Sequence, residues 1–211
     1  MKNLDLSLYL VTDENFNENK SFECIIEEAL KGGVTVVQLR EKKSSTRDFL
    51  KKAFLLKSLL SKYDAPLIIN DRIDIAIACD ADGVHIGQSD MPYEYARKLL
   101  GKDKIIGLSI ESFEEALKAE EFDLDYIAIS PVFSTPTKQN TKIEFGIEGI
   151  KRICSSTRHK TLAIGGINID NVTEIVAAGV DGISVVSAIM RAENPYQAAV
   201  VLKERVLKAK Q

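Results

Sequence analysis

The feature that most constrains this chain is an alternation. Short apolar runs, each closing on polar residues or glycine, are followed eight times by stretches whose apolar residues recur at helical spacing. The runs are Leu6–Val11, Thr35–Leu39, Pro66–Ile69, Gly83–Ile86, Lys104–Leu108, Tyr126–Ile129, Thr161–Ile164 and Gly182–Val186. The intervening helical stretches are Phe22–Leu30, Thr46–Lys62, Asp74–Cys79, one opening at Pro92 in its first turn, Ser112–Glu121, Ile147–Cys154, Asn171–Ala178 and Tyr196–Lys208. Ser112 and Glu115 have the spacing of a capping box, and Gly179 stops the seventh helix. Strands that read as solid apolar runs are those buried on both faces. Eight strand–helix units therefore predict an α/β chain folded as a single (β/α)8 TIM barrel over residues 1–211. A doubly wound open sheet is the rival, and the lack of a GxGxxG after the first strand weighs against it.

In such a barrel the site is built from residues that follow the strands at one end. Here those positions hold Gln38-Leu-Arg-Glu-Lys42, Asn70-Asp-Arg72, His85 to Asp90, Ser109, Ser130 to Lys138, Gly165-Gly166 and Val186-Ser187. The stretch after the sixth strand is the most telling. Two prolines stiffen it and leave Ser130, Ser134, Thr135, Thr137 and Lys138 as the groups on offer, which suits an anion such as a phosphate ester.

These residues sort by chemistry. Gly165-Gly166 and Val186-Ser187 follow strands seven and eight, where barrels bind phosphate; the plain alternative for the glycines is a tight turn. Arg40, Lys42 and Lys138 are cations from strands two and six that suit a more highly charged anion such as a diphosphate; the alternative is separate solvated charges. Asp71 and Asp90 close neighbouring strands. Two carboxylates facing a diphosphate need a cation between them, which points to Mg2+, although Asp90 could instead cap the next helix. His85 is as compatible with a packed core residue as with a catalytic one, and His159 falls at the opposite end. Two phosphoryl positions with magnesium and no nucleophile suggest transfer of a group from a diphosphate to a phosphorylated acceptor.

The net charge of −3 with interspersed signs argues against a nucleic acid or a membrane as partner, leaving small-molecule substrates. Cys24, Cys79 and Cys154 are widely spaced without a CxxC, so three buried, reduced thiols are expected. No segment has the pattern of a signal peptide or the length of a membrane span, so a cytoplasmic protein is expected. Oligomeric state, a homo-oligomer included, is left open.

Seven motifs in order carry a resemblance over nearly the whole chain: Leu8-Tyr-Leu-Val-Thr-Asp13, Val37-Gln-Leu-Arg-Glu-Lys42, Ile69-Asn-Asp-Arg72, Asp82-Gly-Val-His-Ile-Gly-Gln-Ser-Asp90, Ser130 to Lys138, Ala163-Ile-Gly-Gly-Ile167 and Val185-Val-Ser-Ala-Ile189. The sequence resembles the thiamine-phosphate synthases. That resemblance implies the joining of 4-amino-2-methyl-5-(diphosphooxymethyl)pyrimidine to a thiazole ethyl phosphate, or its 2-carboxy form, giving thiamine phosphate and pyrophosphate. It implies that Gln38, Leu39, Arg40, Glu41, Lys42, Asn70, Ser109 and Lys138 hold the pyrimidine diphosphate, with Arg40, Lys42 and Lys138 acting in catalysis. Asp71 and Asp90 would bind Mg2+, and Thr135, Pro136, Thr137, Gly166, Val186 and Ser187 would hold the thiazole phosphate. The related thiazole tautomerases carry a working histidine where this chain has Pro131. They, or a non-catalytic thiamine-phosphate-binding barrel, are the alternatives. Ser89, where an acidic residue is frequent, and the polar Lys138-Gln-Asn-Thr-Lys142 stretch are departures from the family pattern.

Overall fold

The structure, a computed structural model, describes residues 4–134 and 144–211. Eight parallel strands close into a barrel in chain order: β1 (Leu8–Val11), β2 (Val36–Leu39), β3 (Leu67–Asn70), β4 (Gly83–Ile86), β5 (Ile105–Ile110), β6 (Tyr126–Ile129), β7 (Lys160–Ile164) and β8 (Gly182–Val185), with β8 pairing back onto β1. The outer layer comprises α1 (Phe22–Lys31), α2 (Thr46–Leu60), α3 (Ile73–Ala78), α4 (Tyr93–Leu100), α5 (Phe113–Ala119), α6 (Gly146–Cys154), α7 (Val172–Ala177), α8 (Ser187–Met190) and α9 (Pro195–Ala209).

Each strand is buried on two faces, and the two faces have different chemistry. Outward residues such as Leu8, Leu10, Val37, Leu39, Leu67, Ile69, Ile127 and Ile129 join the helices in one large apolar layer. Inward residues such as Tyr9, Val11, Val36, Ile68, Tyr126, Ala128 and Leu162 form a second, smaller cluster that fills the barrel. Above it the inward row turns polar, at Gln38, Asn70, His85, Ser130 and Ser184, all buried.

The opposite end is tied by a device that repeats with every second strand. Asp82, Asp125 and Asp181 stand just before β4, β6 and β8. Each accepts with its carboxylate the backbone N–H that opens or nearly opens the preceding strand: Leu67 at 2.9 Å, Ile106 at 2.8 Å and Thr161 at 2.7 Å. Each also donates its own amide to the carbonyl of the same residue, at 3.0, 3.1 and 3.0 Å. Thr35 does the same before β2, accepting from the amide of Leu8 with its hydroxyl oxygen at 3.3 Å. Side-chain acceptors thus take up amides that open strands.

Element boundaries agree with the sequence reading to within a few residues, with local differences. Pro92 is the N-cap of α4 and not a first-turn residue. Ser112 caps α5 by accepting from Glu115 N–H, but the reciprocal carboxylate reaches the amide of Glu111, one residue earlier than a capping box requires. The four-residue α8 was hidden by its shortness. The three cysteines are free, but of the three buried thiols the sequence predicts Cys79 alone is buried: Cys154 is partly buried and Cys24 is exposed. It lies off the α1 face that Phe22, Ile25, Ile26, Ala29 and Leu30 bury. His159 sits at the strand-opening end and places Nε2 2.9 Å from the Ala119 carbonyl, a structural role. Among the described residues, no helix is long and apolar enough to cross a membrane.

Asp82→Ala removes the acceptor for a part-buried strand amide, and we expect it to destabilise the fold by about 1–3 kcal/mol. Chemical denaturation reads that loss, and a change well inside the scatter of surface substitutions would refute the clamp.

Candidate active site

At the C-terminal ends of the strands a pocket of about 1150 Å3 opens. Its floor is the polar inward row and its walls include the apolar side chains of Val11, Ala128, Leu162 and Ile164. Gln38, Arg40, Lys42, Asn70, Asp71, Asp90, Ser109, Gly166, Val186 and Ser187 all line it, although the sequence separates them by up to most of its length. His85, Gln88, Ser130 and Ser134 line it too.

Strand periodicity decides which members of the 38–42 segment reach the pocket. Gln38, Arg40 and Lys42 line it, whereas Leu39 and Glu41 alternate to the other side. Leu39 is fully buried in the outer apolar layer. The Glu41 carboxylate is buried against Lys52 Nζ at 2.8 Å and accepts from the Ser44 hydroxyl. Neither side chain can touch a ligand in the pocket; only their backbone could contribute. Thr135, Pro136, Thr137 and Lys138 lie outside the described residues.

The turn after β7 has the conformation its glycines permit. Gly165 and Gly166 have φ of +103° and +68°, a region that strains other residues. A Cβ on Gly166 would also press to 2.8 Å from Phe133 Cβ and 2.9 Å from the Ser134 carbonyl. Asn171 braces the turn, donating from Nδ2 to the Gly166 carbonyl at 2.9 Å. Beside it α8 starts at Ser187 with no side chain capping it; Ile189 N–H and Met190 N–H donate to the Val186 carbonyl at 3.2 and 2.9 Å, which leaves the amides of Ser187 and Ala188 as those without an intrahelical acceptor. Ser187 and Ala188 line the pocket there. This is an anion-compatible corner. Nearby, the Ser184 hydroxyl is buried without a hydrogen-bond partner among the described residues.

The opposite side of the mouth carries charge of both signs. Asp71 has φ of +59°, uncommon for a side-chain-bearing residue but tolerated by aspartate. Its amide donates to the His85 carbonyl at 2.9 Å, which sets the carboxylate at the rim, in contact with the Lys42 ammonium. Asp90 does not cap α4; its Oδ2 accepts the Gly87 amide at 2.7 Å. Burial, and then the Asp71 carboxyl beside it, push the Asp90 carboxyl above the ordinary carboxylate range, against the opposing pull of the Gly87 amide and Lys42. Arg40 has no carboxylate partner among the described residues, while its amide is held by the Thr12 hydroxyl at 3.0 Å. Among the described residues no group of three or more His, Cys, Asp or Glu could enclose a metal by itself. A cation here would take two carboxylates and complete its shell from elsewhere.

Sequence reasoning missed Tyr9 and Tyr126. Both are wholly buried in the barrel and hydrogen-bonded to each other at 2.9 Å, directly under the pocket. The signal was present: a buried phenol in an aliphatic strand must find a polar partner.

Comparison with known proteins agrees with this geometry. The family model described as thiamine monophosphate synthase matches residues 8–189. The thiamine-phosphate synthase of Methanobrevibacter smithii is 53% identical over 195 residues, covering 92% of each chain. That of Clostridium acetobutylicum is 50% identical over 208 residues, covering 99% of this chain and 98% of its own. The solved structure of thiamine phosphate pyrophosphorylase from Pyrococcus furiosus superposes with a TM-score of 0.90 at 39% identity, covering 99% of this chain and 98% of that one. By sequence match over most of its length and by fold, the chain belongs to the thiamine monophosphate synthase family.

Proposed function

We infer that this chain joins 4-amino-2-methyl-5-(diphosphooxymethyl)pyrimidine to a thiazole ethyl phosphate, or its 2-carboxy form, giving thiamine phosphate and pyrophosphate. The observation that carries the reading is the presence of two anion-compatible zones in one pocket: Arg40 and Lys42 with the aspartates on one side, Gly166 and Ser187 on the other. Family membership supplies the chemistry that links them.

In this reading the C–O bond between the pyrimidine methylene and the diphosphate breaks, and the electron pair leaves with the diphosphate oxygen. The methylene cation is stabilised by the pyrimidine's own amino group, so no protein nucleophile is required. The thiazole nitrogen then forms the new C–N bond. Arg40 and Lys42 are aimed at the charge that develops on the leaving group, where preorganised electrostatics contribute most. Val11, Ala128, Leu162 and Ile164 exclude water from the cation. The Gly166 turn and the amides at Ser187 hold the acceptor's phosphate.

Asp71 and Asp90 fit a Mg2+ ion. Their carboxylates are close enough to raise Asp90, the repulsion that a divalent cation relieves, and magnesium favours few carboxylates plus substrate oxygens and water. When bound, it would neutralise charge on the departing diphosphate.

Pyrophosphate release from the two substrates with magnesium tests the reading, and its absence would overturn it. Arg40→Ala and Asp71→Asn should each lower turnover at least about a hundredfold, the scale for a lost electrostatic stabiliser. Asparagine tolerates the positive φ at position 71, so Asp71→Asn isolates the charge. Near-normal turnover in that variant, with an unchanged metal requirement, would remove the metal assignment.

A linked expectation concerns stability. The Asp90 carboxyl is raised in the folded state, so its stabilising contribution is full below its unfolded pKa and is lost as pH rises through the folded one. Near neutral pH the chelator-treated Asp90→Asn protein should therefore melt no lower than the parent. That difference should vanish once pH falls below the ordinary value of 3.8. Magnesium with pyrophosphate should raise the melting temperature of the parent but not of the variant. A variant that melts well below the parent in chelator would contradict the repulsion.

A further inference from the structure

In the pocket floor and just beneath it five side chains from five strands form one continuous hydrogen-bonded line. Gln38 Nε2 donates to the Tyr9 hydroxyl at 2.8 Å, and the Tyr9 and Tyr126 hydroxyls are 2.9 Å apart. Tyr126 Oη lies 3.0 Å from His85 Nδ1, and His85 Nε2 lies 2.8 Å from Ser109 Oγ. The two phenol rings are tilted at 5.9 Å, and the His85 and Tyr126 rings stack at 5.5 Å. The barrel makes room for this line: a side chain at Gly107 on β5 would overlap the Tyr126 ring.

A phenol has one proton to give, and each of these sits between two partners. If one end of the line is fixed, every bond in it has a fixed direction. The Gln38 amide nitrogen can only donate, so Tyr9 donates to Tyr126 and Tyr126 donates to His85 Nδ1. The His85 proton then lies on Nε2 and is given to Ser109 Oγ. Ser109 is left with its own proton to offer the pocket, and Gln38 with its carbonyl oxygen. Burial holds both phenols well above their ordinary pKa, so they remain protonated and the line keeps its direction.

We propose that Tyr9, Tyr126 and His85 are positioning residues that form a one-way hydrogen-bond relay, coupling Gln38 to Ser109 so that the pocket presents a carbonyl acceptor at one end and a hydroxyl donor at the other. The ligand that matches both ends carries an amino group and an anionic oxygen, as an aminopyrimidine diphosphate does. The inference deepens the functional reading above and rests on it for the ligand, not for the relay itself. If these groups only filled the barrel, replacing a phenol by phenylalanine would alter stability and leave both the histidine tautomer and the substrate dependence of the rate unchanged.

The test uses the ring nitrogens. The chain has two histidines, and His159, whose Nε2 faces a backbone carbonyl at 2.9 Å, reports on the same tautomer outside the relay. In 15N-labelled, ligand-free protein, His85 should carry its proton on Nε2 with Nδ1 bare. In Tyr126→Phe the signals of His85 should move towards a mixture of tautomers while those of His159 stay in place. Tyr9→Phe, a second variant should the first fold poorly, cuts the line between Gln38 and Tyr126 and so should release Gln38 and loosen the His85 tautomer as well. Both should lower turnover on the order of tenfold or more, the scale for misplaced binding groups. They should also raise KM for the pyrimidine diphosphate while leaving that for the thiazole phosphate unchanged. An Nδ1-protonated His85 in the parent overturns the direction of the relay. Parent-like kinetics in both variants overturn its role, while pyrophosphate release by the parent keeps the reaction standing. A parent that releases no pyrophosphate removes the reaction and the proposed ligand together, and the tautomer then still decides the relay's direction.

Discussion

A strand in a closed parallel barrel has no face left for water, and the rest of this molecule follows from how that burial is met. On the outer face the solution is apolar throughout, from Leu8 and Leu10 to Ile127 and Ile129 against the helices. On the inner face it is graded. Tyr9, Val36, Ile68 and Tyr126 fill the middle of the barrel, and only above them do Gln38, Asn70, His85 and Ser130 take the inward positions. A buried polar group without a partner costs about 1–3 kcal/mol, so each of these residues needs a neighbour or a ligand. The phenol–imidazole line beneath the floor supplies neighbours for several of them. The substrate side of the pocket is where the remaining capacity, including that of the Ser184 hydroxyl, stays available.

The two ends of the barrel divide stability from chemistry. At the strand-opening end, Asp82, Asp125 and Asp181 spend their charge on backbone amides. At the strand-closing end, Asp71 and Asp90 are set against each other, and Lys42 only partly offsets them. The same residue type is stabilising in one place and a local liability in the other. The difference is the acceptor's surroundings: amides that need capping at one end, a second carboxylate at the other. A chain with a net charge of −3 has no global attraction for anions, so any attraction the mouth has for them must be local, and the groups it offers are Arg40, Lys42, the glycine turn and the uncapped start of α8.

Most of the architecture was legible in the sequence because strand–helix alternation and glycine punctuation are local signals. The eight strands fall in place to within a few residues, and Gln38, Arg40, Asp71, Asp90 and Ser187 do meet at one rim. What stayed hidden has physical reasons. Reading each strand as a uniform apolar run conceals the two-residue period that sends Leu39 and Glu41 away from the pocket. The phenols of Tyr9 and Tyr126 count as apolar in a pattern, and their hydroxyls meet only because β1 and β6 lie across the barrel from one another, 117 residues apart in sequence. Cys24 shows the reverse limit: an apolar-looking residue at the start of a helix is exposed because the buried stripe passes beside it.

The segment after β6 is mechanically joined to its neighbour, the turn after β7. The backbone of the segment following β6 pairs with it, Val132 N–H donating to the Ile164 carbonyl at 2.9 Å and Phe133 N–H to the Gly165 carbonyl at 3.2 Å. The return of that segment is pinned to its own departure, Phe145 N–H to the Pro131 carbonyl at 3.1 Å and Gly146 N–H to that of Val132 at 3.0 Å. Gly165 and Gly166 leave no space for a Cβ against Pro131 and Phe133. Any shift of the Gly165-Gly166 turn therefore pulls on the root of the β6 segment, and the positive φ of both positions, natural to glycine, lets the two backbones approach closely without strain. Glycine at these two positions thus serves the packing between neighbouring loops. That is why the pair reads as an ordinary tight turn until the loop beside it is seen.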